Sequence, residues 1–259
     1  ILMAGILAHV FALQAHGVAD PLALSHFAFG PAGFDALSWG PADAAPWLIL
    51  IGVLVNAAAP PLGSWLADAY PEASESGTVF LSAFTTKTAV YVLMLLFAGT
   101  ELLVYVGLAM AVYGIVYAIL ENDMRRILAY SIVNQVGFMV CGIGIGTAMA
   151  LNGAAAHAFA HIIYKALLLM SAGSVLYMTG KRKCTDLGGL YHSMPITMIC
   201  GIVGALAISS FPLTSGFVTK SMINQAAADQ HLALAWFVLT AASAGVFLHA
   251  GIKFPWFVF

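Results

Sequence analysis

Apolar runs of helical length, separated by short polar or proline-bearing stretches, set the pattern of this chain. Eight or nine hydrophobic segments can be counted, at about 1–15, 45–62, 77–98, 100–120, 125–147, 151–179, 193–227 (interrupted) and 231–252. A bilayer is crossed by about 20 mainly apolar residues in helical form. The pattern therefore predicts an all-α, polytopic transmembrane helix bundle. Residues 17–44 form an expected linker with Pro21, Pro31 and Pro41, several glycines and no Lys or Arg. It leaves room for a short interfacial stretch. Two segments are interrupted. Pro60-Pro61 falls where the first should continue, and Ser209-Ser210-Phe211-Pro212-Leu213-Thr214-Ser215-Gly216 breaks the second. Proline removes a donor and clashes with the preceding turn. Freed backbone groups are tolerated at membrane depth only inside protein or beside a wet cavity. Paired broken helices point to transporter repeats with a site near mid-membrane; two simple proline kinks are the plainer alternative.

Composition agrees with the pattern. Of 259 residues, 62% are hydrophobic and 8% charged, against about 25% charged in soluble domains. So few charges cannot cover a soluble surface of this size. The 25 glycines suit membrane helices, whose backbones approach closely at small residues. The chain opens Ile1-Leu2-Met3 inside an apolar run, without the positive region of a signal peptide, and closes inside another at Lys253–Phe259. Both ends read as cuts from a longer protein. Cys141, Cys184 and Cys200 have neither metal-ligand spacing nor an even disulfide count, and read as core or loop residues. A net charge of −2 identifies no partner beyond the lipid bilayer itself, and no nucleic-acid partner is expected.

Threading the spans alternately puts Arg125, Arg126, Lys181, Arg182, Lys183 and Lys253 on one side and no Lys or Arg in the loops of the other. Cytoplasmic loops carry the basic excess, so that side is expected to be cytoplasmic. Lys87, Lys165 and Lys220 remain, each inside a hydrophobic segment. A lysine at the helix centre costs about 3 kcal/mol even on insertion scales, and such residues are functional candidates by default. Snorkelling of the head group to the interface is the alternative. It is hard for Lys87 and Lys165, which are central in their segments. It is easier for Lys220, which follows a helix break and is expected within reach of an interface.

His157, His161 and Lys165 share one helix face at i, i+4, i+8, along about 12 Å of axis. Histidine exchanges protons near neutral pH, and burial can draw a lysine pKa toward neutrality. The ladder is a candidate proton path. Two histidines at i, i+4 can also share a metal, but zinc wants three or four ligands, and none is near in sequence, so no metal is expected. Two structural histidines are the other reading. His9 and His249 also lie in apolar surroundings, where each alone reads as a hydrogen-bonded packing residue. Asn56, Ser82, Thr85, Thr86, Asn134 and Gln135 are polar enough to hold water near the lysines. No carboxylate lies clearly inside a span: Glu101 opens one, and Asp68, Glu72, Glu75, Glu121 and Asp123 are expected in loops.

Several stretches carry a family likeness. They are Pro60-Pro61-Leu62-Gly63-Ser64-Trp65-Leu66-Ala67-Asp68-Ala69, Lys87-Thr88-Ala89-Val90-Tyr91 and Asn122-Asp123-Met124-Arg125-Arg126-Ile127-Leu128-Ala129-Tyr130-Ser131. With them go Gln135-Val136-Gly137, His157-Ala158-Phe159-Ala160-His161, Lys165-Ala166-Leu167-Leu168, Leu187-Gly188-Gly189-Leu190, Pro212-Leu213 and Gly216-Phe217-Val218-Thr219-Lys220. The chain resembles the antiporter-like subunits shared by respiratory complex I and Mrp-type multisubunit cation/proton antiporters, and looks most like the D subunit of the Mrp type. The resemblance implies inverted five-helix repeats, each with a broken helix. Residues 1–259 would form one antiporter-like domain, 1–120 holding the rest of the first repeat and the start of the second, 121–259 the remainder of the second. It implies a polar axis at mid-membrane: Lys87 looks like the central lysine of the eighth helix, His157, His161 and Lys165 like the relay on the eleventh, Lys220 like the charged residue of the broken twelfth. Asn56, Lys253, His249, Arg125 and Arg126 are secondary candidates.

Two departures stand out. The family usually has a lysine nine positions before the Trp of Trp65-Leu66-Ala67-Asp68, where this chain has Asn56. It usually has a histidine where this chain has Gly63. The glutamate that pairs with that lysine would fall before Ile1. The expected function is proton or cation/proton translocation within a multisubunit assembly in a bacterial inner membrane. Other subunits would be its partners, and protons, with Na+ in an Mrp-like complex, its cargo. Alternatives are a non-conducting structural subunit, or a proton-translocating subunit of a membrane hydrogenase or NADH:quinone oxidoreductase. With no Rossmann fingerprint, iron–sulfur cysteine set or flavin site, the chain is not expected to be a redox enzyme itself, and no cofactor is expected.

Overall fold

The computed structural model describes residues 1–30 and 43–259; Pro31 and Pro41 of the predicted linker lie outside them. The helices run in order α1 (Leu2–Ala15), α2 (Ala44–Asn56), α3 (Ser64–Glu72), α4 (Glu75–Leu96), α5 (Glu101–Leu120), α6 (Met124–Ile145) and α7 (Ala148–Thr179). Then come α8 (Pro195–Ile208), α9 (Ser215–Asp229), α10 (Ala233–Val246), a π-helical turn at Phe247–Lys253, and α11 (Phe254–Val258). Five stretches are long and apolar enough to cross a membrane: α4, α5, α6, α7 and the continuous run Ala233–Val258. No strand occurs among the described residues. The all-α membrane bundle expected from the apolar pattern is the fold observed.

Both interruptions are helix breaks. Residues 57–63 separate α2 from α3, and residues 209–214 separate α8 from α9. Each contains non-glycine residues in the left-handed region, Ala58 in the first and Ser210 and Leu213 in the second, a conformation that costs energy and persists only where surroundings impose it. A broken helix leaves end carbonyls without partners. Side chains also bond to carbonyls at these ends: Trp65 Nε1 donates to Val55 O at 3.0 Å, which takes Ala58 N as well, and Lys220 Nζ to Ile208 O at 2.9 Å.

Helix starts and stops follow local chemistry. Asp123 caps α6 by accepting from Arg125 N at 2.8 Å, Ser74 caps α4 through Gly77 N, and Thr147 caps α7 through Ala150 N. Gly146 and Gly180 end α6 and α7 with φ of +71° and +68°, where a left-handed cap favours glycine.

Helix α6 is the pillar of the bundle. Its membrane-length window is completely buried by the rest of the chain, with α5, α7, α4, α3 and α9 around it. Lipid tails are as apolar as leucine, so close packing rather than transfer from water drives such association. The α5–α6 seam shows how close. A Cβ on Gly107 would sit 2.4 Å from Cys141 N, and one on Gly137 would sit 2.7 Å from Ala111 N.

One end of the bundle gathers the charges. Arg126 pairs with Asp68 at 3.0 Å and Glu121 at 3.3 Å, and Arg182 with Glu72 and Asp123 at 2.9 Å each. The salt bridge to Glu72 holds the Arg182 guanidinium above its ordinary value. Arg125 is buried and donates to Ala73 O at 2.9 Å and to Thr78 Oγ1, tying α6 to the α3–α4 junction. Lys253 Nζ donates to the end carbonyls of α5, Ile119 O at 2.7 Å and Glu121 O. An antiparallel bridge between Asp123 and Lys183 links the two loops. Asp68 and Glu72 are therefore on helix α3, and Glu75 opens α4, rather than lying in loops. Helix α3 is the continuation expected beyond Pro60-Pro61, with Leu66, Ala67 and Tyr70 buried and Asp68 and Glu72 exposed.

Candidate functional site

Lys87, His157, His161, Lys165 and Lys220 come from three helices and are all enclosed. Lys87 is 7% exposed, Lys220 2%, and the other three 0%. Lys220 does not snorkel out of the bundle: it is enclosed, on the wall of a cavity that opens toward the surface. The break turns α9 inward, and the ammonium hydrogen-bonds to Ile208 O with its charge 4.9 Å from the centre of the Phe138 ring, a cation–π distance. Lys87 does not snorkel either: Nζ donates to Ser82 O at 2.8 Å and Thr86 Oγ1 at 3.2 Å.

The hydrogen bonds of His157 fix its tautomer. Asn134 Nδ2 donates to Ala111 O at 2.8 Å, and a backbone carbonyl only accepts. Asn134 Oδ1 is thus free to accept from Gln135 Nε2 at 2.7 Å. That leaves Gln135 Oε1 facing His157 Nε2 at 3.0 Å and Tyr164 Oη at 3.3 Å. An amide oxygen has no hydrogen to give, so Nε2 carries the ring hydrogen. Nδ1 of the neutral ring then accepts from Thr219 Oγ1 at 2.7 Å. Helices α5, α6, α7 and α9 are joined by this one chain of bonds.

One turn on, the bonding stops. Both ring nitrogens of His161 and Nζ of Lys165 are buried without a hydrogen-bond partner among the described residues. His161 meets Tyr164 edge-on at 5.3 Å and lies 6.3 Å from the His157 ring. Buried polar groups are nearly always paired with protein or internal water. The ion pairs among the described residues are all at the charged end; none joins the three enclosed lysines to a carboxylate. A cavity of about 410 Å³ leads from Lys220 toward the surface, lined by Ser209, Ser210, Asn224 and Ser243 among others.

The other candidates are placed as follows. Asn56 ends α2 and donates to Thr85 O at 3.3 Å, beside Lys87 on α4. His249 is fully enclosed on the π turn. Arg125, Arg126 and Lys253 belong to the charged end. His9 is a packing residue whose Nε2 donates to His26 O at 2.8 Å. The three cysteines are unpaired. Among the described residues no three His, Cys, Asp or Glu side chains converge as metal ligands. Thr219 and Tyr164 are not legible in the sequence as members of the site. Their only signal is adjacency to Lys220 and Lys165.

A membrane bundle with two broken helices and a buried file of lysines and histidines defines a class of antiporter-like membrane proteins. Residues 8–247 match the family described as NADH:quinone oxidoreductase/Mrp antiporter, transmembrane region, and the chain belongs to that family. It is 35% identical over 183 residues to NADH-quinone oxidoreductase subunit N of Desulforudis audaxviator, covering 66% of this chain and 36% of that protein. It is 32% identical over 192 residues to a probable K(+)/H(+) antiporter subunit of Rhizobium meliloti, covering 71% of this chain and 19% of that protein. Among solved structures, the Mrp complex from Dietzia sp. superposes with a TM-score of 0.86 at 26% identity, over 100% of this chain and 48% of that one. An archaeal membrane-bound sulfane sulfur reductase gives 0.81 at 27%, over 95% of this chain and 52% of that one. The chain thus spans about half the length of the solved relatives, and less of the two sequence relatives.

Proposed function

We propose that this chain carries protons through the membrane as one subunit of a multisubunit assembly, along the file Lys87, His161 and Lys165 with His157, and Lys220. The observation that carries the reading is the file itself. Five ionisable side chains are enclosed within a bundle of apolar helices, none paired with a carboxylate among the described residues. Protons hop along water joining these groups, and Lys220 opens to the surface through its cavity. The drive comes from the other subunits, as exchange against a cation in an antiporter or as redox chemistry in a quinone-linked or hydrogenase-like machine. The charged end, with Arg125, Arg126, Lys181–Lys183 and Lys253, faces the cytoplasm of a bacterial cell, and the two helix breaks belong to two inverted repeats.

Asn56 favours a second reading. An amide stands where relatives of this kind usually carry a lysine, so this chain would link its neighbours without conducting. Replacing Lys165 by Ala in the complete complex separates the two. Proton movement is followed in inverted vesicles with a pH-sensitive dye, and assembly by native gel. Collapse of proton movement with assembly intact is expected. An unchanged rate in an assembled complex would sink the conducting reading and leave the linking one.

A further inference from the structure

Three parts of the fold converge on the cavity beside Lys220. Ser209 and Ser210 come from the second helix break, Lys220, Ser221 and Asn224 from α9, and Ser243 from α10. Ser209 Oγ, Ser210 Oγ and Asn224 Oδ1 are buried without a hydrogen-bond partner among the described residues, and Ser209 is only 8% exposed. At about 410 Å³ the cavity far exceeds the roughly 30 Å³ share of one water. It has room for a small ligand with part of its hydration shell.

The lining carries one charged group, and it is basic. No carboxylate lines the cavity, and no ion pair among the described residues reaches Lys220. One ammonium hydrogen goes to Ile208 O at 2.9 Å, and the Phe138 ring lies 4.9 Å away. A carbonyl dipole and a ring quadrupole offset part of the charge but supply no countercharge. Buried charges are paired as a rule, and two of the three ammonium hydrogens remain to be used. The donors for a counterion are already on the wall. Each serine hydroxyl can turn its hydrogen toward an acceptor, and the Asn224 amide can turn to present its NH2 in place of its oxygen.

We propose that this cavity binds a small monovalent anion from solution, of the halide class, against Lys220 Nζ and the hydroxyls of Ser209 and Ser210, with the Asn224 amide completing the set. The ammonium supplies the charge and the hydroxyls supply aimed donors. Hydrogen bonds of this charge-assisted kind are about twice as strong as neutral ones. A metal cation would meet the same serine oxygens, but with no carboxylate to hold it and an ammonium beside it, and like charges repel strongly away from bulk water. A bound anion favours the charged form of the lysine and stands in the passage from Lys220 to the surface. The proposal needs only a charged Lys220, so it holds whether or not the chain conducts.

The test uses the complete complex, purified in detergent, with thermal unfolding followed at fixed ionic strength in choline chloride, sodium gluconate and choline gluconate. A ligand that binds only the folded state raises the melting temperature with its concentration. The expected result is a rise in choline chloride over choline gluconate, with none in sodium gluconate. Lys220→Met is expected to lose that rise, and Ser209→Ala to need about tenfold more chloride for the same rise, as befits one lost hydrogen bond to a charged ligand. A rise in sodium gluconate alone would give the cavity to a cation and overturn the proposal. A chloride rise that survives in Lys220→Met would put the anion elsewhere and overturn it too. Where the variants do not assemble, crystals of the unmodified complex grown in bromide decide. An anomalous-scattering peak in contact with Lys220 Nζ and Ser209 Oγ is expected, and a cavity without one, or filled by a carboxylate of a neighbouring subunit, rules the site out. Proton movement in the Lys165→Ala vesicles bears on the conducting reading alone, so the two can fail separately.

Discussion

Gln135 is the residue on which the saturated end of the file turns. Its amide oxygen takes the His157 Nε2 hydrogen and the Tyr164 hydroxyl, while its nitrogen is committed to Asn134. Gln135→Leu keeps the volume and leaves two buried donors unpaired. A lost buried partner costs about 1–3 kcal/mol, so the variant is expected to melt measurably earlier in detergent and to lose the fixed orientation of His157. An unchanged melting temperature would show that water replaces the amide without loss. At this scale the ionisable members are readily legible, because a charge inside an apolar run is conspicuous. Their partners are not. The chain from Ala111 through Asn134 and Gln135 to His157 depends on three helices meeting at one height, which no local pattern encodes. For Lys220 the nearby break suggests an outlet. In the fold, that same break supplies the carbonyl that holds the lysine in.

At the scale of the element, the α5–α6 seam is set by glycine rather than by shape-matching of large side chains. Gly107→Ala places a methyl group 2.4 Å from the backbone of α6, where nothing flexible is available to move. Overpacking costs about 1–3 kcal/mol, and here it must also push the two helices apart. The expected outcome is a lower melting temperature, with the larger Gly107→Leu failing to assemble. Normal assembly of Gly107→Leu would mean the seam is far looser than the backbone distances require. The breaks are legible in the sequence because proline and a run of turn-forming residues interrupt apolar segments. The π turn is not: within Phe247–Lys253 only His249 and Lys253 interrupt the apolar residues, and nothing in that pattern marks an extra residue per turn. Helix α3, the continuation beyond the first break, is short and carries Asp68 and Glu72 on its open face.

Across the whole molecule, the segregation of charge follows from counting basic residues in loops, and the fold brings those loops to one end. With the native cysteines replaced, Lys181→Cys is expected to react with an impermeant thiol reagent in inverted vesicles and not in whole cells. Labelling from outside whole cells would reverse the proposed orientation. The Asp123–Lys183 bridge and the Arg126 and Arg182 pairs also join these loops to one another and to α3. Counting basic residues could not foresee that, since it depends on loops some sixty residues apart in sequence meeting in space.

The complete enclosure of α6 has a consequence for how the protein is made. A chain is synthesised from its N-terminus, so α6 enters the bilayer before α7 and α9, two of the helices that later wall it in, have left the ribosome. During that interval Asn134 and Gln135 face lipid or the insertion machinery, with His157 and Thr219 not yet present to meet them. Helix α6 must therefore satisfy two environments in succession. It has to be apolar enough to be admitted as a lone span, which its scattered Ile, Val, Met and Leu with Phe138 provide, and polar enough at one height to complete the file once its neighbours arrive. Further polar substitutions along this helix are accordingly expected to lower yield first, at insertion, and only afterwards the stability of the finished protein.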